Sequence, residues 1–182
     1  EMPSDHIYIR PESWDKPFEA PEHVCSSYDN CHVPWGSTHE KTWHLVKTLP
    51  HVSGLFVWTG FDYLGEPTPY WWPSRSSFFG IVDLAGFPKD VYYMYKSEWT
   101  DEPVLHIFPH WNWKVGEPVD IWAYYNNADE VELYLNGKSL GVQQKTDSTY
   151  HVSWRVPFTP GTLRAVSRLG GKEVLVKEIH TA

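Results

Sequence analysis

Residues Gly54–Pro73 read GLFVWTGFDYLGEPTPYWWP. The stretch opens on a short apolar run, Leu55–Phe56–Val57–Trp58, whose β-branched and aromatic content predicts a buried β-strand over Gly54–Trp58. It then breaks into a loop in which two carboxylates, Asp62 and Glu66, stand among Trp58, Phe61, Tyr63, Tyr70, Trp71 and Trp72. A buried strand ordinarily ends in polar turn residues. Pyranose C–H faces pack on aromatic rings, and sugar hydroxyls donate to carboxylate oxygens. The loop therefore points to carbohydrate contact in preference to an aromatic mini-core, the alternative that ordinary burial offers.

The flanking segments read as helices. Ser37-Thr38-His39-Glu40 has the form of a capping box. Trp43, Val46 and Leu49, with His39 before them, form an apolar stripe that stops at Pro50. A second helix is expected with Pro88 near its first turn and Val91, Tyr92, Tyr95 and Trp99 at three- and four-residue spacing. Helix, buried strand, loop and helix is the rhythm of an α/β barrel. Upstream, residues 1–34 are irregular and broken by Pro3, Pro11, Pro17, Pro21 and Pro34, with one short strand expected at His6–Arg10. So long an irregular run usually caps or lines something.

Beyond Asp101-Glu102-Pro103 the pattern changes. Short alternating runs follow at Val104–Phe108, Val119–Tyr125, Glu130–Leu135, Tyr150–Val156, Gly161–Arg168 and Lys172–Ile179, with hairpin signals at Asn136-Gly137 and Gly170-Gly171. Such spacing predicts an immunoglobulin-like sandwich, without the Cys–Trp–Cys frame of antibody domains.

Composition narrows the partners. A formal charge of −8 over 182 residues argues against nucleic acid and anionic membrane surfaces. No apolar run approaches the roughly 18 residues needed to span a bilayer. The start, EMPSDHIYIR, shows neither initiator Met nor signal peptide, so the chain reads as a piece of something longer. Cys25 and Cys31 in CSSYDNC are compatible with a loop disulfide and with two free thiols. His32 beside them completes no zinc pattern. No metal site and no cofactor is expected.

Five stretches carry a resemblance: MPSD (Met2–Asp5), SSYDNCHVPWGSTHEKTW (Ser26–Trp43), the Gly54–Pro73 block, FFGIVDLAGFPKDVYYMYKSEW (Phe78–Trp99) and VELYLNGKSLG (Val131–Gly141). Together they resemble family 2 glycoside hydrolases, specifically the β-galactosidase-like enzymes of gut Bacteroidetes. The resemblance implies an α/β plus all-β chain: residues 1–102 as the C-terminal part of a (β/α)8 TIM barrel, and 103–182 as an immunoglobulin-like accessory sandwich. It makes Gly54–Trp58 the eighth barrel strand. The acid/base and nucleophile glutamates, carried by the fourth and seventh strands, then lie upstream of Glu1, and no catalytic residue is expected within this chain. A retaining glycosidase needs two carboxyl groups about 5 Å apart, and the resemblance makes Asp62 and Glu66 binders of sugar hydroxyls rather than that pair. Trp58 is implied as the floor of the sugar subsite, with Trp71 and Trp72 rimming an acceptor position. The implied activity is retaining exo-β-glycosidase, with β-galactoside as substrate, in the periplasm or outside the cell. The implied partners are the carbohydrate and the remaining domains of the parent enzyme. A rival reading makes the chain a non-catalytic carbohydrate-binding or structural module, with Trp111, Trp113, Trp122 and Trp154 as a sugar platform. Trp111 and Trp113 share a face if they lie in a strand; they serve equally as packing against the barrel.

Overall fold

The computed structural model describes residues 26–30, 32, 36–66 and 73–182. The expected strand His6–Arg10, the Cys25 and Cys31 pair, Trp71 and Trp72 lie outside them. The chain divides into two compact units, residues 1–92 and 93–182.

The second unit is a sandwich of seven antiparallel strands: β1 (Leu105–Phe108), β2 (Pro118–Tyr125), β3 (Glu130–Leu135), β4 (Lys138–Gln143), β5 (His151–Pro157), β6 (Thr162–Leu169) and β7 (Lys172–His180). One sheet runs β1-β2-β5 and the other β4-β3-β6-β7. This is the expected two-sheet sandwich, with β4 added after the Asn136-Gly137 turn. Period-2 alternation builds the core: Val119, Ile121, Ala123 and Tyr125 of β2 and Val152, Trp154 and Val156 of β5 meet Val131 and Leu133 of β3 and Leu163 and Ala165 of β6. Asn136 and Gly137 both take positive φ, 51° and 80°, as a two-residue hairpin of this hand requires. The Asn136 side chain then ties the turn to the β5–β6 connection, accepting from Thr162 N–H at 2.9 Å and donating to the Pro160 carbonyl at 3.1 Å. A Cβ on Gly161 would lie 1.8 Å from Asn136 Oδ1, so that approach needs glycine.

The tryptophans of this unit correct the platform reading. Trp111 and Trp113 lie in the β1–β2 connection, not in a strand. Trp111 and Trp154 are buried in the core, their indole N–H groups donating to the Thr159 and Gly141 carbonyls at 3.0 and 3.1 Å. Trp113 stacks on His110 with ring centroids 4.9 Å apart, and Trp122 stacks on His151 at 3.5 Å. Large rings near a small core gain more from burial than from exposure, so no row of open indoles forms on the sandwich.

Helix α2 (Asp90–Trp99) is where the unit boundary falls, earlier than Pro103. Its second half is held by the sandwich. Tyr93 stacks on His106 at 3.8 Å, Lys96 pairs with Glu102 at 2.6 Å and Lys145 with Glu98 at 3.5 Å. The linking residues are fastened by Asn126, whose Nδ2 donates to the carbonyls of Thr100 (3.2 Å) and Glu102 (2.9 Å).

In the first unit, α1 spans His39–Thr48, as the stripe predicted, but the capping box does not form. Thr38 is the N-cap without a side-chain bond, and Asp29 caps the helix from outside. Its Oδ1 and Oδ2 accept from the N–H groups of His39 at 2.9 Å and Glu40 at 2.6 Å. A carboxylate brought in from another segment satisfies two free N–H groups and faces the positive end of the helix dipole, which one serine cannot do. Gly54–Trp58, expected as a strand, forms no ladder among the described residues, and Trp58 lies at a bend. Phe56 is fully exposed there. Apolar composition favours extension, but a strand exists only beside a second one, and the described residues put none there.

Two outcomes are expected. Burial lowers the His39 pKa below the usual 6.5, opposed by the Asp29 charge and assisted by Lys89, and burial raises that of Asp29 above 3.8. A lowered histidine stabilises above its unfolded pKa, so its contribution is lost as pH falls below 6.5; a raised carboxyl has the opposite sign, its contribution present below 3.8 and lost as pH rises. An NMR titration should place the His39 midpoint below 6.5, and a midpoint at or above 6.5 contradicts the buried cap. Asp29→Ala should cost about 1–2 kcal/mol. Secondly, residues 93–182 should melt higher than 103–182, because one aromatic pair contributes roughly 0.5–1.5 kcal/mol and each kcal/mol moves Tm by about 4–8 °C in a domain this small. Equal melts would return the boundary to Pro103.

Candidate functional site

Residues 59–65 of the loop after Trp58 are pinned by backbone pairing with residues 75–82. Thr59 N–H donates to the Phe79 carbonyl (3.1 Å), Ile81 N–H to Thr59 (3.0 Å), Val82 N–H to Gly60 (3.0 Å) and Asp62 N–H to Val82 (2.9 Å). Farther along, Ser77 N–H donates to the Tyr63 carbonyl at 2.9 Å while its Oγ accepts from Tyr63 N–H at 3.1 Å. Gly65 N–H reaches the Arg75 carbonyl at 3.0 Å. The Trp58–Thr59 peptide is cis.

Asp62 is the bolt of this frame. Its Oδ1 accepts from Gly80 N–H at 2.7 Å and from Lys89 Nζ at 2.9 Å, and its Oδ2 lies 2.7 Å from the same ammonium. Lys89 also donates to the Phe78 carbonyl at 3.0 Å. The Asp62 side chain is only 9% exposed. Gly80 meets the loop so closely that a Cβ would lie 2.1 Å from Asp62 N, so only glycine fits. A carboxylate and an ammonium in contact, each with further hydrogen bonds, hold geometry well, and removing either partner alone strands the other's charge.

Trp58 and Glu66 are the exposed members. The indole is 73% exposed. Tyr63 links the two: its hydroxyl accepts from Trp58 Nε1 at 3.3 Å and donates to Glu66 Oε2 at 2.5 Å. Its ring meets the indole edge to face, centroids 6.2 Å apart at 86°. Donation to the Glu66 carboxylate pushes the Tyr63 phenol above its usual pKa of 10. Among the described residues Oε1 of Glu66 has no hydrogen-bond partner. Asp62 and Glu66, adjacent in the reading of the sequence, thus do different work: one is fixed beneath the loop by a lysine, the other presented at its surface. Tyr63 was the residue the sequence left unassigned. Its spacing of three from Glu66 across Gly65 was the available signal.

Among the described residues no group of three or more His, Cys, Asp or Glu side chains is set to hold a metal ion. No described helix is long and apolar enough to cross a membrane.

Residues 116–175 match a domain of unknown function, DUF4982. The chain is 62% identical over its whole length to the β-galactosidase BoGH2A of Bacteroides ovatus, covering 21% of that protein, and 40% identical over 96% of its length to a putative β-glucuronidase of Formosa agariphila, covering 17% of it. Among solved structures it resembles a β-glycosidase from Bacteroides vulgatus, with a TM-score of 0.78 at 39% identity over 87% of this chain and 20% of that one. A glycosyl hydrolase family 2 member from Bacteroides cellulosilyticus matches with a TM-score of 0.69 at 30% identity, over 79% of this chain and 23% of that one. The chain spans about a fifth of the length of these relatives. With such identity carried through both the loop that bears Trp58 and the sandwich, the chain belongs to glycoside hydrolase family 2.

Proposed function

We propose that the chain is the C-terminal part of a retaining exo-β-glycosidase acting on β-galactosides. In this reading the stretch expected over residues 1–102 closes a TIM barrel and that over 103–182 forms its accessory sandwich, the second half of α2 packing with the latter. The observation that carries it is the exposed Trp58 indole joined through Tyr63 to an accessible Glu66 carboxylate, on a loop braced by Asp62 and Lys89. The β-galactosidase name of a relative 62% identical supports the choice of sugar.

Trp58 would carry the apolar face of the sugar, and Glu66 would accept a hydroxyl proton in a charge-assisted bond. Asp62, engaged by Gly80 and Lys89, would act mainly by holding this loop, with its remaining lone pairs open to a sugar hydroxyl. Trp71 and Trp72 would rim the acceptor position. The chemistry itself requires an acid to protonate the leaving oxygen and a nucleophile about 5 Å away to form the glycosyl–enzyme. Those two carboxyls would come from the rest of the enzyme, which would work in the periplasm or outside the cell, without nucleic-acid partners.

The 182-residue chain assayed alone at high concentration should not turn over aryl β-galactosides. Turnover abolished by Glu66→Gln would instead show that the chain holds its own catalytic carboxyls. In the full-length enzyme, Trp58→Ala should cost about 2–4 kcal/mol of transition-state binding, roughly 30- to 1,000-fold in kcat/KM. A folded variant within twofold of wild type on every sugar would remove Trp58 from the subsite.

A further inference from the structure

We propose that Tyr63 and Glu66 form one specificity unit that admits a neutral, hydroxyl-bearing sugar and rejects a uronic acid. The inference rests on the reading of Trp58 as the sugar platform and adds to it the class of sugar.

Three observations carry it. The first is orientation. The Tyr63 hydroxyl has one proton, and it is spent on Glu66 Oε2 at 2.5 Å, while the same oxygen takes the Trp58 N–H at 3.3 Å. Glu66 is thereby held relative to the indole, and a ligand lying on Trp58 meets a carboxylate whose direction is already set. The second is capacity. An ionised carboxylate only accepts, and Oε1 remains without a partner among the described residues. It can take a ligand hydroxyl in a charge-assisted bond, but a ligand carboxylate brings neither a proton nor an opposite charge. The third is the state of Lys89, the ammonium bound to this loop among the described residues. The Lys89 ammonium, which a uronate would need, is already committed to Asp62 and the Phe78 carbonyl. Arg75 is tied to the loop by its backbone, its carbonyl receiving Gly65 N–H at 3.0 Å. The loop therefore presents a fixed negative group beside an apolar face, with its lysine withdrawn beneath it. The raised phenol pKa of Tyr63 accords with a proton held toward Glu66.

The test is a ratio measured in the full-length enzyme: kcat/KM for p-nitrophenyl β-galactoside over that for p-nitrophenyl β-glucuronide, in wild type, Glu66→Gln, Tyr63→Phe and Trp58→Ala. Wild type should prefer the galactoside. Glu66→Gln should narrow the preference at least tenfold, by losing galactoside turnover and easing repulsion of the glucuronide. Tyr63→Phe, which leaves Glu66 in place but unheld, should narrow it about threefold, through KM more than kcat. A variant that folds poorly lowers both substrates together and is recognised by its melt; an unchanged ratio in a Glu66→Gln variant that melts like wild type overturns the proposal, as does a wild-type preference for the glucuronide. Trp58→Ala separates this failure from that of the platform. If it impairs both substrates while Glu66→Gln leaves the ratio alone, the platform stands and the specificity unit falls. If it changes nothing while the ratio shifts, Glu66 selects the sugar without the indole, and the proposal as built on Trp58 falls. Turnover of neither substrate by wild type removes both readings.

Discussion

A backbone N–H or C=O taken out of water must find a partner, and in this chain Asp and Asn side chains repeatedly supply what regular structure leaves over. Asp29 closes the start of α1. Asp62 accepts from Gly80 N–H, and Asp83 Oδ1 takes the N–H groups of Ala85 and Phe87 at 2.8 and 2.9 Å in the next turn. In the sandwich Asn126 accepts from Val104 N–H at 2.8 Å, and Asp129 accepts from Gly170 N–H at 2.7 Å. Each of these reaches across the chain from well outside the segment it serves or folds a turn upon itself. The irregular stretches, the candidate site among them, owe their shape to this small set of side chains.

The sandwich solves the same constraint by pairing. Its strands satisfy one another, and alternation leaves one row of apolar side chains per strand for the core. Where large indoles enter, their N–H groups find carbonyls, so Trp111 and Trp154 bring no unsatisfied donor inside. The opposite face of the four-stranded sheet holds a charged network, in which Glu132 accepts from Ser139 at 2.6 Å, from Tyr134 at 2.5 Å and from Arg168 at 2.7 Å. These donors hold the Glu132 carboxyl below its usual pKa, led by Ser139 and Tyr134.

The described residues of the first unit have less regular pairing to offer, and the loop leans on the Asp62–Lys89 ion pair and on Gly80. Lys89 comes from just before α2, Gly80 from the returning strand-like segment and Asp62 from the loop itself. With Asp62 occupied in this way, the surface chemistry passes to Trp58, Tyr63 and Glu66. Rigid support below and open groups above is the arrangement a binding loop requires, because geometry fixed before a ligand arrives is not ordered at the ligand's expense.

Period and turn chemistry were enough to read the sandwich: Val131, Leu133 and Leu135 alternate, and Asn136-Gly137 can hardly be anything but a tight hairpin. Both helices were legible from their stripes, and the aromatic and acidic make-up of Gly54–Pro73 marks it as a loop of unusual chemistry. These features are local, and local interactions are written in neighbouring residues. The rest was not local. Ser37 has the sequence of a cap, but Asp29 displaces it, since a carboxylate ten residues away in the chain is adjacent in space. Gly54–Trp58 has the composition of a strand, yet a ladder belongs to two segments and cannot be read from one. Asp62 and Glu66 look equivalent in the sequence; only the folded chain brings Lys89 and Gly80 against the first and Tyr63 against the second, and so decides which carboxylate braces the loop and which one stands at its surface.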